Sequence, residues 1–226
     1  KFIDKMLVIF KFEQDFYKKF GIDAEFIGHP LLDVVKPTLE KEKALREFGL
    51  KQKAPVFALL PGSRVSEIKS ILPVMLGAAK LIKEKILAAQ FIISKVHSID
   101  NNVYTGIINQ AGVEAKIIEG KQYDCLNAAD FVLVASGTAT LETAIMQKPN
   151  VVIYKMGLLN YLLYRPLVRV PFIGMENIVA GRLVAEEFIQ FNARPKLIAD
   201  KILEILHDKN RLLQIQNDLL ELKEKL

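Results

Sequence analysis

The sequence is poor in the residues that form cross-links and metal sites: its 226 residues include one cysteine, three histidines and no tryptophan. A lone cysteine cannot form an internal disulfide and is typical of a reducing compartment. Cys125 lies in the stretch YDCLNAAD, which favours a small buried side chain over a nucleophile. His29, His97 and His207 lack the spacing of metal ligands. His29 lies between a glycine and a proline, so we expect a structural hinge role for it.

Long hydrophobic runs are also missing, although 51% of the residues are apolar. No run approaches the ~20 residues that a bilayer-spanning helix needs. The first ten residues, KFIDKMLVIF, have neither an initiator methionine nor the pattern of a signal peptide. They read as the end of a helix that enters a strand, and we expect the chain to begin inside a larger protein.

The net charge of +5 is modest, and lysines alternate with glutamates without a dense basic block. Solvated helix faces explain this pattern best, and attraction to an anionic ligand or a membrane surface is the alternative. The sequence has no zinc-finger spacing and no aromatic-basic RNA motif. We therefore expect no nucleic-acid partner.

Apolar, β-rich segments alternate with helical patterns from residue 56 onward. This alternation predicts an α/β fold, a doubly wound, Rossmann-like parallel sheet with helices on both faces. A ligand of such a sheet lies beyond the carboxyl ends of the strands. Strands are predicted at 56–60, 90–94, 115–118, 131–135 and 151–154, and helices at 66–85, 101–111, 123–128, 138–147, 195–207 and 209–226.

The pattern divides the chain into three parts. Residues 1–32 are interpreted as the end of a preceding domain with a hinge, and residues 33–208 as the Rossmann-like domain. Residues 209–226 form a C-terminal helix with one apolar stripe. We expect this stripe to find its partner on the preceding domain rather than on the sheet domain. The stripe comprises Leu212, Ile215, Leu219, Leu222 and Leu226.

Two segments, LLPGSRVSEI (59–68) and VASGTATLETA (134–144), run from a strand through small residues into a helix. Unpaired N–H groups and partial positive charge gather at a helix N-terminus, where phosphate binds well. Gly62 and Gly137 permit close approach of the backbone, and the Arg64 guanidinium can bind phosphate oxygens bidentately. Neither segment matches a dinucleotide or P-loop fingerprint. Together they predict a site for a nucleoside diphosphate.

Glu142 lies four residues after Thr138, on the same helix face and one turn deeper. A capping box from Thr138 would need its acid at position 141, so Glu142 has the wrong register for one. Two interpretations remain open. The carboxylate accepts hydrogen bonds from ribose hydroxyls beside the phosphate site, or it is an acid that the helix dipole favours.

Two further segments allow a ligand role. In GMENIVAGRLVAEEFIQ (174–190), the amides of Asn177 and Gln190 can read a base or sugar edge, or the segment is an ordinary loop and helix. LLNYLLYRPLVRVPF (158–172) can contact acyl chains or a membrane surface. A packed helix with the snorkelling arginines Arg165 and Arg169 is the favoured interpretation.

Taken in order, several segments resemble the lipid-A-disaccharide synthase family, inverting glycosyltransferases (family 19) of the two-domain GT-B type. The family usually has proline at the positions of Lys11 and Glu176, and its N-terminal domain is almost wholly missing here. The segments cover most of the chain, and it is their joint order that is specific. They are IFKFEQDFYKKFGIDAEFIGHPLLD, LLPGSRVSEI, ASGTATLETA, PNVVIYK and NIVAGRLVAEEFIQ.

The resemblance implies transfer of 2,3-diacylglucosamine from its UDP derivative to 2,3-diacylglucosamine 1-phosphate, giving a β-1,6 disaccharide and UDP. This chain would be mainly the donor-binding half. Ser63 and Arg64 would meet the diphosphate, Gly137 and Thr138 would offer it N–H groups, and Glu142 would bind the ribose.

Other implications concern the rest of the pocket and the partners. Asn177 and Gln190 would line the pocket around the sugar or diphosphate. The catalytic base is unknown and is expected in the missing domain, so the fragment alone is expected to be inactive. We expect no metal and no cofactor. A cytoplasmic location peripheral to the inner membrane, an acylated glucosamine phosphate acceptor and a homodimer are further expectations.

Two alternatives stay open at this point. The first is another UDP-sugar enzyme of GT-B type, such as a peptidoglycan transferase or a UDP-GlcNAc 2-epimerase. The second is a non-catalytic nucleotide-binding module.

Overall fold

The computed structural model describes residues 5–157, 161 and 170–226. Within this part, a six-stranded, wholly parallel sheet has the strand order β5-β4-β3-β6-β7-β8, and β1 and β2 form a separate parallel pair. The strands are β1 (Met6–Val8), β2 (Ala24–Phe26), β3 (Val56–Leu60), β4 (Gln90–Lys95), β5 (Lys116–Glu119), β6 (Phe131–Ala135), β7 (Asn150–Tyr154) and β8 (Glu186–Ile189).

The helices of the sheet domain alternate with its strands. Local capping residues mark where helices begin and end. The fifth helix shows both ends clearly, since Asp100 accepts a hydrogen bond from the Asn102 N–H and Gly112 ends the helix at a left-handed φ of 63°. The helices are α1 (Lys11–Lys18), α2 (Leu31–Val34), α3 (Lys41–Glu47), α4 (Val65–Lys85), α5 (Asn101–Ala111), α6 (Gln122–Ala128), α7 (Thr138–Ile145), α8 (Met175–Ala180), α9 (Pro195–His207) and α10 (Lys209–Glu224).

Both faces of the sheet are buried under apolar layers. Successive residues of β3 point to opposite faces, so Phe57 joins the layer that includes α4, α9 and α10, whereas Ala58 joins the layer that includes α3 and α6. Every residue of β3 and β6 is buried. The α/β prediction is confirmed, and most predicted boundaries agree within one or two residues. Cys125 is buried as predicted, and burial raises the pKa of its thiol to about 12.

Strand β8 does not appear among the predicted strands. The edge strand pairs only with β7, and it carries Glu186 and Glu187 instead of a continuous apolar run. Both acids are half-buried, and the Glu187 carboxylate accepts the N–H groups of Ile173 and Gly174 and the Asn177 amide. The strand sequence EEFI, two acids followed by two apolar residues, has neither the alternation nor the apolar run that indicates a strand.

The expectation for the C-terminal helix is wrong. Ile215, Leu219, Leu222 and Leu226 are buried in the same core as the sheet, where α10 packs on α7, α8 and α9. Asp208 caps the helix by accepting the N–H groups of the next turn. The stripe therefore finds its partner on the sheet domain.

Residues 28–39 are tied to the sheet domain at two points. The His29 N–H donates to the Leu226 carbonyl oxygen at 2.8 Å, and His29 Nδ1 accepts the Leu31 N–H at 3.1 Å. Asp124 of α6 accepts the Thr38 N–H and hydroxyl at 2.7 Å each and the Leu39 N–H at 2.8 Å. His29 thus has a local structural role, and the hinge at this position stays a prediction.

Across residues 5–157, 161 and 170–226, each helix is too short or too polar to span a bilayer.

We expect Leu219→Ala to lower the free energy of unfolding by about 2–5 kcal/mol, because it leaves a cavity where the side chain is fully buried. Chemical denaturation of the 226-residue chain measures this. The neighbouring Leu220 is 47% exposed, so Leu220→Ala is the matched control and should change stability by less than about 0.5 kcal/mol. Equal losses for both variants would contradict the burial of the stripe.

Candidate functional site

A cleft of about 290 Å³ opens at the carboxyl ends of β3, β4 and β6. Parallel strands all end at one edge of the sheet, so the turns that follow them meet there. The two predicted elbows, 61–64 and 136–138, form opposite walls of this cleft. Five predicted site residues lie in its lining, namely Ser63, Arg64, Gly137, Thr138 and Glu142.

The first elbow is occupied by a side chain of its own helix. Glu67 Oε2 accepts the N–H groups of Ser63 at 3.0 Å and Arg64 at 3.2 Å, and Oε1 accepts Arg64 Nη1 at 2.7 Å. The N–H groups of Ser63 and Arg64 are therefore not free, contrary to the prediction of unpaired donors at these two residues. A Cβ at Gly62, where φ is 108°, would lie 2.5 Å from the Glu67 carboxylate. Glycine is needed here so that the carboxylate can fold over the turn.

The second elbow is open. Gly137, with φ of 147°, is the N-cap of α7, and its carbonyl accepts both the Thr140 N–H at 3.1 Å and the Thr140 hydroxyl at 2.9 Å. The N–H groups of Gly137, Thr138 and Ala139 have no hydrogen-bond partner within the described part of the chain. They are the backbone donors available to an anion in the cleft.

Glu142 is held at the floor of the cleft by two side chains of α6. Gln122 Nε2 donates to Oε2 at 2.6 Å, and the Tyr123 hydroxyl donates to Oε1 at 3.0 Å. Burial, together with the neighbouring Glu142 charge, raises the pKa of Tyr123 to about 12. A carboxylate has about four acceptor positions, so both oxygens can still accept a hydroxyl from a ligand.

Sequence reasoning did not single out Gln122 and Tyr123. They follow β5 at the start of α6, and from there their side chains reach Glu142 of α7. No spacing pattern joins residues 20 positions apart, so the sequence carried no signal for this contact.

A neighbouring cleft of about 300 Å³ shares Ser94, Val96 and Gln122 with the first. Lys95 and His97 line this second cleft, and both contact Glu119: its carboxylate accepts Lys95 Nζ at 3.0 Å and lies 2.5 Å from His97 Nδ1. Hydrogen bonds from Lys95 and then His97 hold the pKa of Glu119 below its usual value. These side chains extend the polar surface from β4 and β5 toward the elbows.

Asn177 is not among the residues that line either of these clefts, because its amide is used within the fold. Its Oδ1 accepts the N–H groups of Val184 at 2.7 Å and Ala185 at 2.9 Å, and its Nδ2 donates to the Ala185 carbonyl and to Glu187. All four hydrogen-bonding positions of the amide are filled. Asn177 therefore fixes the turn between α8 and β8.

Gln190 has a similar internal role. Its Oε1 accepts the Met156 N–H at 3.1 Å, and its Nε2 donates to the Met156 carbonyl at 3.0 Å. The side chain is 8% exposed and joins the ends of β7 and β8. The segment 158–172 lies largely outside the described residues, and so do Arg165 and Arg169.

No group of three or more His, Cys, Asp or Glu side chains is placed to hold a metal ion in residues 5–157, 161 and 170–226.

The sequence profile of the lipid-A-disaccharide synthetase family matches residues 1–226. A lipid-A-disaccharide synthase of Syntrophus aciditrophicus (strain SB) is 45% identical over 225 residues, which are 99% of this chain and 59% of that protein. The chain thus spans about three fifths of the length of the curated relatives it matches.

Solved structures support the fold. The Anabaena protein HepE, in complex with UDP and glucose, has a TM-score of 0.60 at 13% identity, covering 100% of this chain and 60% of that one. WaaG, a glycosyltransferase involved in lipopolysaccharide biosynthesis, has a TM-score of 0.59 at 11% identity, with 97% and 58% covered. The fold is that of GT-B glycosyltransferases, and the chain belongs to the lipid-A-disaccharide synthetase family.

Proposed function

We propose that this chain is the donor-binding part of an inverting glycosyltransferase that makes the lipid A disaccharide. The enzyme transfers 2,3-diacylglucosamine from its UDP derivative to 2,3-diacylglucosamine 1-phosphate, forming a β-1,6 linkage and releasing UDP. The observation that carries the proposal is the cleft, in which Arg64, the open elbow at Gly137 and Glu142 face one volume. Family membership supports the choice of donor and acceptor.

The diphosphate is bound between the two elbows. The second elbow supplies the N–H groups of Gly137 and Thr138 and the positive end of α7. Arg64 supplies the guanidinium. It gives up its ion pair with Glu67 and binds a phosphate oxygen instead. Its side chain is 77% exposed, so its ion pair with Glu67 contributes little and is readily given up. Both groups stabilise the negative charge that develops on the leaving UDP.

The ribose is bound by Glu142. Gln122 and Tyr123 fix its carboxylate, and its remaining acceptor positions take the two ribose hydroxyls. Ser63 lines the same cleft on the diphosphate side. For Asn177 and Gln190 we propose an indirect role, because their amides hold the loops behind the cleft.

We place the acceptor site and the catalytic base in the part of the relatives' length that this chain does not span. The proposed acceptor is an acylated sugar phosphate, and so we propose that the enzyme works in the cytoplasm at the surface of the inner membrane. A homodimer stays a prediction.

We expect Arg64→Ala to lower UDP affinity by about 10–100-fold at low salt, since a charged hydrogen bond contributes about 1.5–3 kcal/mol. Calorimetric titration of the 226-residue chain with UDP measures this. The loss should shrink as salt rises, because the side chain is exposed.

Arg46→Ala is the matched control for Arg64, because Arg46 is an exposed arginine on α3 outside the cleft. It should leave UDP affinity unchanged. A folded wild-type chain that binds no UDP would overturn the proposed function, and an equal loss in both variants would remove Arg64 from the site.

We expect Glu142 to be the group that makes the chain bind UDP more tightly than 2′-deoxy-UDP. The wild-type chain should bind 2′-deoxy-UDP more weakly, because the carboxylate loses one hydroxyl partner. Glu142→Ala should bind the two nucleotides equally, since neither then has a carboxylate to meet. A difference between the two nucleotides that persists in the variant would assign the ribose contact to another group.

A further inference from the structure

Two side chains behind the second elbow are hydrogen-bonded to each other, and each of them also has one buried polar atom without a partner. Glu176 of α8 and Asn150 of β7 are 0% and 1% exposed. Asn150 Nδ2 donates to Glu176 Oε1 at 2.8 Å. Glu176 Oε2 and Asn150 Oδ1 are both buried acceptors with no hydrogen-bond partner in the described structure. Native proteins leave few such atoms unpaired, because each one costs about 1–3 kcal/mol.

The surroundings of Glu176 disfavour a negative charge. Burial is the largest effect and raises the pKa of its carboxyl, and the nearby Glu187 carboxylate of β8 raises it further. Neutral polar groups act in the opposite direction, namely Thr140 of α7, Asn150 of β7 and the backbone N–H of Glu176 itself. An ionised Glu176 would be a buried charge beside a second acid, and it would leave both unpartnered acceptors unsatisfied.

A single added proton lets the two unpaired atoms form a hydrogen bond with each other. A proton on Glu176 Oε2 converts that acceptor into a donor, and Asn150 Oδ1 is the acceptor that lacks a partner. We propose that Glu176 is a neutral carboxylic acid, paired with Asn150 through two hydrogen bonds, and that this pair positions the second elbow for the donor. The positioning part rests on the proposed function.

The pair reaches the elbow through short contacts. Glu176 follows Met175, whose N–H donates to Thr140 Oγ1 at 3.0 Å, and Thr140 Oγ1 donates to the Gly137 carbonyl at 2.9 Å. On the other side of the turn, Ser136 Oγ donates to the Ile173 carbonyl at 2.9 Å. The start of α8 is thus fastened to β7 by the acid–amide pair and to the elbow by Thr140. Glu176 acts as a positioning residue, because it bonds to Asn150 and is not among the residues that line the cleft.

Glu176→Gln tests the proton directly. The amide of glutamine has the shape of the neutral acid and can make both hydrogen bonds to Asn150, but it does not titrate. In the wild type, the folded state keeps a proton that the unfolded state loses above pH ~4.5, so stability falls as pH rises through this window. The unfolding equilibrium constant of the wild type, divided by that of Glu176→Gln, should therefore rise by up to tenfold per pH unit from about pH 5 upward.

The exposed Glu224 on α10 supplies the matched control, since Glu224→Gln removes a carboxylate at the surface. The unfolding equilibrium constant of the wild type, divided by that of Glu224→Gln, should stay nearly constant over the same pH range. A constant ratio for Glu176→Gln as well would show that Glu176 is ionised in the folded chain and would overturn the proposal.

UDP titration tests the positioning role. Glu176→Gln should bind UDP like the wild type at pH 6, whereas Glu176→Met, which fills the space without hydrogen bonds, should bind at least fivefold more weakly. A folded Glu176→Met variant with wild-type affinity would overturn the positioning role. If Glu176→Met does not fold, weak binding by Glu176→Gln at pH 6 would overturn it instead. A wild type that binds no UDP would remove the proposed function and the positioning role together, and the pH-dependent ratio would still decide the charge of Glu176.

Discussion

The candidate site depends on the position of β3 between β4 and β6. From β3 the chain moves outward to β4 and β5, and it then returns to place β6 on the other side. The turns after β3 and β6 therefore diverge and leave a crevice between them. Arg64 enters this crevice from one turn and Gly137 from the other. The cleft exists because the strand order reverses at this point, whatever side chains line it.

The central strands and both elbows could be predicted from the sequence because their signals are local. A buried parallel strand is a continuous apolar run, and the glycines after β3 and β6 mark sharp turns. The state of each elbow could not be predicted in the same way. Glu67 closes the first because it stands three residues after the N-cap, whereas the second has Thr140 at that position, which bonds to a carbonyl oxygen instead.

Contacts between distant segments account for the remaining differences. An apolar stripe on α10 shows that the helix has a partner but not which surface provides it, and Leu219 finds that surface on the sheet domain. Asn177 illustrates the same limit, since an amide in an apolar segment can serve a ligand or a turn with equal ease. Its four internal hydrogen bonds become visible only when β8 lies beside β7.

Burial of the sequence's one cysteine has a practical consequence. Cys125 lies under β3 and β6 in the layer with α3 and α6. Its raised pKa keeps the sulfur protonated, and the protonated thiol is the unreactive form. A thiol reagent can modify it only when this layer separates from the sheet. The modification rate then reports the population of molecules that open there, in water and without denaturant. The chain thus carries a native probe of local unfolding on the face of the sheet opposite α10.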